Sequence, residues 1–192
     1  MTSESARELV AVFGGSFNPP HIAHVMTVLV VLSTHPVDRV VVIPTFAHPF
    51  AKQLAPYEDR VRMIELAMAG IARVEISRIE ETLGGESRTL RTLEHLQSEH
   101  PSWNLRLVMG ADVLAETPKW YAFDRIAKIA PPIVLGRAGF ESSAAPTPIL
   151  PAISSTDIRA KVGQGRWSDL EPIVPRTVLE YIREHALYEH GH

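Results

Sequence analysis

The chain has 192 residues, 45% apolar and 21% charged, with a formal net charge of −3 and no cysteine; this suits one domain over residues 1–192, with a core at about 8–150 and a helical C-terminal part at about 151–192. The missing cysteine excludes disulfides, thiolate metal sites and cysteine nucleophiles, and the acidic balance excludes a general nucleic-acid coat, which needs a basic face. The most apolar stretch, Val25–Leu32, falls far short of the ~20 residues of a bilayer span, and Met1–Glu8 lacks the basic start and apolar run of a signal peptide, so a cytoplasmic protein with no membrane partner is expected.

Short apolar runs alternate with helical patterns along the chain. Leu9–Phe13 reads as a buried strand ended by Gly14-Gly15, and Ile22–Thr34 as a buried helix with Val25, Val28, Leu29 and Leu32 at helical spacing. The β-branched run inside Arg39–Pro44 is that of a strand covered on both faces. Tyr57–Ala69 is predicted helical, Arg73–Ser77 a short strand, and Arg88–Glu99 a helix stopped before Pro101. Leu105–Met109 is a strand ending in Gly110, a short helix follows from Ala111, and Ile133–Leu135 is a fifth strand. Gly136–Pro151, rich in Gly, Ser, Ala and Pro, reads as a long irregular loop before two closing helices, Ser155–Val162 and Pro175–His185. The alternation predicts an α/β fold: a Rossmann-like doubly wound parallel sheet with helices on both faces and a small helical C-terminal part. Ligands of such sheets bind beyond the carboxyl ends of the strands, which directs attention to the junctions at 14–24, 44–52, 110–121 and 153–159.

The first junction reads Gly14-Gly15-Ser16-Phe17-Asn18-Pro19-Pro20-His21-Ile22-Ala23-His24. The glycines allow a sharp turn and close approach of a ligand, and Pro19-Pro20 stiffen the entry to the helix. His21 and His24, three apart, project from one side of the first turn, where unpaired N–H groups and the helix dipole favour an anion. A lone His-x-x-His is more often a surface or metal pair, but an anion site also accounts for the glycines. The lysine and hydroxyl of a Walker loop are missing. About 130 residues later, Ile153-Ser154-Ser155-Thr156-Asp157-Ile158-Arg159 repeats the logic, with hydroxyls and N–H groups at another helix start and Arg159 one turn on.

These two motifs together resemble the signatures of the nucleotidyltransferase superfamily with the HxGH motif. Over roughly Val10–Tyr188 the chain resembles its bacterial nicotinate-nucleotide adenylyltransferase family, through Gly84–Leu93, Gly110-Ala111-Asp112, Trp120-Tyr121 and the ending Tyr181-Ile182-Arg183…Leu187-Tyr188. The resemblance implies a catalytic set of His21, His24, Lys52 and Arg159. It further implies ATP binding by Gly14, Gly15, Ser16, Phe17, His21, His24, Gly110, Asp112, Ile153, Ser154, Ser155, Thr156 and Arg159, with Asp112 and the Gly110 backbone on the ribose. The acceptor is implied to meet Ser16, His48, Lys52, Thr89, Trp120 and Tyr121, with Trp120 stacked on its pyridine ring and Thr89 and the Tyr121 N–H on its carboxylate. An aromatic face for a pyridinium also makes independent sense as a cation–π contact.

Three positions depart from the family pattern. Ala23 replaces a glycine, Arg88 replaces a tyrosine, and the usual Pro-Pro-His-Lys segment reads Ala47-His48-Pro49-Phe50-Ala51-Lys52. Either His48 or Lys52 then takes the phosphate role, and Lys52 is favoured for its charge.

The expected reaction is adenylyl transfer from ATP to nicotinate mononucleotide, with Mg²⁺ held mainly by substrate phosphates and no metal held by the protein itself. Transfer to nicotinamide mononucleotide or phosphopantetheine is the alternative within the superfamily, and a non-catalytic nucleotide-binding regulator the alternative of another class. His35, His95, His100 and His185 read as solvated, and His190 and His192 as a tail. Homo-oligomerisation stays open, since no heptad or isolated apolar stripe announces an interface.

Overall fold

A strand apolar at every position must find cover on both faces, and the computed structural model, which describes residues 7–47, 54–145 and 147–189, supplies it. The elements run β1 (Glu8–Gly15), α1 (Ile22–Thr34), β2 (Arg39–Pro44), α2 (Tyr57–Met68), β3 (Val74–Ile76), α3 (Ile79–Leu83) and α4 (Thr89–Glu99). They continue with β4 (Trp103–Gly110), α5 (Ala111–Glu116), α6 (Phe123–Ile129), β5 (Pro132–Arg137), β6 (Pro148–Leu150), α7 (Ser155–Gly163) and α8 (Arg176–Glu184). The strands form one sheet in the order β3-β2-β1-β4-β5-β6, every pairing parallel. The order turns back between β1 and β4, the position at which a doubly wound sheet opens a crevice.

Alternate side chains feed two cores. Val10, Val12, Leu105, Leu107 and Met109 face Leu90, Leu93 and Leu96 of α4 and Ile126 of α6. Ala11, Phe13, Val40, Val42 and Val108 face Val28 and Val31 of α1 and Ile64 and Met68 of α2. The far side of α2, at Met63 and Ala67, packs on Ile158 and Val162 of α7 and Val178, Leu179 and Ile182 of α8, which seats the C-terminal helices against the first half of the chain. No helix among the described residues is long and apolar enough to cross a membrane.

The predicted elements all appear, with ends moved by one or two residues in most cases. Among the strands and α-helices, three short elements are additional: α3, α6 and β6. Five residues of α3 and three of β6 are too few to show a period, and α6 follows Ala122, a non-glycine residue at φ 53° with no capping side chain. Gly136–Pro151 is therefore not wholly irregular. Its first two residues complete β5 and its end forms β6, and the pairing needs Gly136, where a Cβ would land on the Thr147 carbonyl.

Candidate active site

The carboxyl end of β1 carries the first motif. The Gly15 carbonyl accepts Thr45 N–H (2.9 Å), which ties the turn to the end of β2. Phe17, at φ 47°, is a non-glycine residue in the left-handed region, and its ring is buried at 1% exposure, edge-on to His24 (centroids 4.9 Å). Phe17 thus offers a ligand its backbone only, while its side chain walls the histidine.

His21 and His24 stack at 3.8 Å between ring centroids at the start of α1. His24 Nδ1 accepts the His21 backbone N–H (3.1 Å), so the ring proton of a neutral His24 sits on Nε2, free to donate. Burial, aided by the charge of Arg137, lowers His21 to about 3. Burial, the neighbouring His21 and Arg137 hold His24 well below the ordinary imidazole value. Both rings are therefore neutral near pH 7, and each can donate one N–H to an anion without carrying charge.

The second motif meets the first across the chain. Arg159 Nη1 donates to the Asn18 carbonyl (2.8 Å), and Ser155 Oγ donates to the Pro19 carbonyl (2.9 Å). Ser154 caps α7, its Oγ accepting Thr156 N–H (3.2 Å), and Thr156 Oγ1 accepts Arg159 Nη2 (3.3 Å). Among the described residues Arg159 has carbonyl and hydroxyl partners and no carboxylate in its hydrogen bonds, which leaves its charge available to a phosphate.

Arg137, the last residue of β5, is the site residue that the sequence does not announce. Its guanidinium pairs with Asp112 Oδ2 and donates to the Ile153 carbonyl, bridging the start of α5 to the second motif. Asp112 Oδ1, Arg137 Nε and His21 Nδ1 are buried without partners. Such orphaned polar atoms are costly in a core and common where a ligand completes them. Gly110 is required beside them, since a Cβ there would strike the Asp112 carboxylate.

A cleft of about 730 Å³ opens at the ends of β1 and β4, running from Gly14, Gly15 and Ser16 past Gly110 to Thr89, Trp120 and Tyr121. Trp120 is half-buried against Phe123 (6.1 Å), whereas Tyr121 is 69% exposed. Ser87 Oγ accepts Phe46 N–H (3.0 Å) and Ala47 N–H (3.3 Å), and Glu80 accepts Phe46 N–H (3.1 Å) and the Thr92 hydroxyl (3.1 Å). Arg60, 1% exposed, donates to the carbonyls of Ala55 (3.0 Å), Ser16 (3.0 Å) and Thr45 (2.7 Å) and braces both rims. Arg88 lines the cleft while paired with Glu86 (2.9 Å).

The expected residues thus fall into two adjoining groups. Gly14, Gly15, Ser16, Thr89, Gly110, Trp120 and Tyr121 line the cleft. The second group, His21, His24, Asp112, Ile153–Thr156 and Arg159, is knitted around Arg137 and Asn18. His48 and Lys52 lie outside the described residues.

Residues 12–161 match the family model described as Cytidylyltransferase-like. A protein of Anaeromyxobacter dehalogenans (strain 2CP-C) named "Probable nicotinate-nucleotide adenylyltransferase" is 46% identical over 182 residues, which cover 93% of this chain and 96% of the relative. A Myxococcus xanthus protein of the same name is 40% identical, with 93% and 94% covered. Among solved structures, Plasmodium falciparum nicotinic acid mononucleotide adenylyltransferase complexed with NaAD superposes with a TM-score of 0.84 at 17% identity, over 96% of this chain and 98% of that one. It shares the fold.

Proposed function

This chain belongs to the nicotinate-nucleotide adenylyltransferase family, and from that membership we propose that it joins ATP and nicotinate mononucleotide into nicotinate adenine dinucleotide and pyrophosphate. The observation that carries the reading is the meeting of the two phosphate motifs at Asn18 and Pro19, beside a cleft that ends in an aromatic side chain. In the proposed reaction an oxygen of the acceptor 5′-phosphate attacks the ATP α-phosphorus. One P–O bond forms, the bond to the β-phosphate breaks, and its electron pair leaves with pyrophosphate. The attacking group is already an anion, so the protein supplies alignment and charge stabilisation, with neither a covalent intermediate nor a general base.

The neutral imidazoles of His21 and His24 donate hydrogen bonds to the α-phosphate, and Arg159 supplies formal charge to the departing phosphates. Asp112, oriented by Arg137, takes the ribose hydroxyls with the oxygen it holds free. Trp120 lies on the pyridine ring, and Thr89 with the Tyr121 N–H receives its carboxylate. Lys52 is the further cation of the set. Mg²⁺ is proposed to be carried mainly on substrate phosphates and water. Mg²⁺ so bound supplies charge neutralisation on those phosphates.

The test is the purified protein with ATP, Mg²⁺ and, in turn, nicotinate mononucleotide, nicotinamide mononucleotide and phosphopantetheine, products being separated by chromatography. Nicotinate adenine dinucleotide with stoichiometric pyrophosphate is expected. ATP binding with no release of pyrophosphate in the presence of any of the acceptors would instead make the protein a regulator. His24→Ala should lower turnover by orders of magnitude with a modest loss of ATP affinity, and near-normal turnover would sink the assignment.

A further inference from the structure

The side chain of Asn18 is 2% exposed in the middle of the first motif, and its Oδ1 has two partners from distant parts of the chain. One is the Ala55 N–H (2.9 Å), just past the segment that contains Lys52. The other is the Tyr188 hydroxyl (2.9 Å), which the closing turn after α8 delivers from 170 positions away. The backbone on either side of the same residue is held by the second motif, through Arg159 on the Asn18 carbonyl and Ser155 on the Pro19 carbonyl. Asn18 is the knot at which four separated stretches meet, three residues before His21.

The closing turn is built at a cost. Ala186 and Tyr188 both adopt left-handed backbone, at φ 49° and 67°, although neither is glycine. Such residues persist where the surroundings over-determine them, and they gather where a side chain must be aimed. Here the Leu187 N–H bonds back to the Ile182 carbonyl (3.0 Å), Leu187 and Tyr188 both pack on the C-terminal core, and the Tyr188 hydroxyl extends from it to Asn18. A tyrosine serving only the core could lie on the surface of α8 without this backbone.

We propose that Tyr188 is a positioning residue for adenylyl transfer: its hydroxyl, through Asn18 Oδ1, fixes the turn that aligns His21 and His24 with Arg159. Its one hydrogen bond runs to Asn18 Oδ1, and it bonds to no residue assigned to either proposed substrate site. The turn after α8 is thereby part of the catalytic apparatus, although none of its residues is assigned a ligand contact.

The inference rests on the proposed adenylyl transfer, so the test has one arm that needs turnover and one that does not. Tyr188→Phe keeps the ring and deletes the hydrogen bond. Its turnover should fall about three- to tenfold, the worth of one buried hydrogen bond, with KM for ATP and acceptor unchanged and the melting temperature nearly so. In an Asn18→Ala background the same change should have no further effect, because the hydroxyl has lost its route to the site. Hydrogen exchange supplies the second arm, with the Ala55 and His24 amides exchanging faster by a similar factor in Tyr188→Phe. Unchanged turnover, additive losses in the double variant, or unchanged protection of those amides would overturn the inference. Failure of the unaltered protein to release pyrophosphate would overturn the proposed reaction instead, and the exchange arm would still decide the role of Tyr188.

Discussion

Acidification should destabilise this protein through His21 and His24 in a way that can be separated from its carboxylates. In the folded chain His21 titrates at about 3, against 6.5 in a solvated imidazole, chiefly because it is buried and secondarily because Arg137 is positive. A folded value below the unfolded one means that the unfolded chain binds the proton first. Stability from the neutral ring is complete above pH 6.5 and is lost as pH falls from there toward 3. Between those limits each pH unit costs about 1.4 kcal/mol for this one imidazole, so His21 alone removes roughly 2 kcal/mol by about pH 5. His24 acts in the same direction, since its proton affinity is also depressed. Against a typical total of roughly 5–15 kcal/mol that is a large share. Urea unfolding monitored by circular dichroism at several pH values gives the slope directly. The His21→Gln variant keeps a polar side chain that does not titrate, and its stability should fall less steeply by about 1.4 kcal/mol per pH unit across this window. Absolute stabilities need not match, because only the difference in slope is read. Parallel slopes for the two proteins would refute the reasoning and mean that His21 is solvated in the folded state.

Arg137→Gln should raise KM for ATP by about ten- to a hundredfold, since it frees Asp112 and leaves a partly buried carboxylate without its cation. Steady-state kinetics on Asp112→Asn and on the double variant should show strong non-additivity, and independent effects would argue against the bridge. Trp120→Ala should raise KM for nicotinate mononucleotide about tenfold with KM for ATP unchanged, as the loss of one aromatic face for a pyridinium implies. Equal effects on both substrates would place Trp120 elsewhere in the reaction.

The parts of the site that were legible in the sequence are those whose chemistry is local. The glycine turn, the histidine pair and the hydroxyls before Arg159 each lie within about one helical turn of one another, so spacing alone puts them together. Phe17 is a partial exception. Its place in the motif suggested a ligand contact, yet an aromatic ring beside a strand end is claimed by the core, and it serves by enclosing His24. Arg137 was hidden for a different reason. It follows a Val-Leu-Gly run and precedes a stretch rich in small residues, so the pattern ends the strand at Leu135. Its position is fixed by Gly136 under the Thr147 carbonyl and by β6, a three-residue strand with no period of its own. Tyr188 was legible as a family landmark, whereas its bond to Asn18 joins residues that no local rule connects.

The electrostatics of the site show how an acidic chain of net charge −3 can receive two phosphorylated substrates. In the group knitted around Arg137, the histidines are neutral and Arg137 is balanced by Asp112, which leaves Arg159 as the cation without a carboxylate partner among the described residues. Charging the imidazoles would add attraction for ATP, but it would add it equally for the ground state and destabilise the empty site, where His21 is buried and the two rings are in contact. In the proposed reaction, neutral donors fixed by the Asn18 knot would act through direction rather than charge. A rigid N–H aimed at the α-phosphate gains most when negative charge concentrates there during attack, so its contribution appears in turnover more than in affinity. That separation is why loss of His24 should fall chiefly on turnover, whereas loss of Arg159, which meets the phosphates both before and during their departure, should lower turnover and raise KM for ATP together.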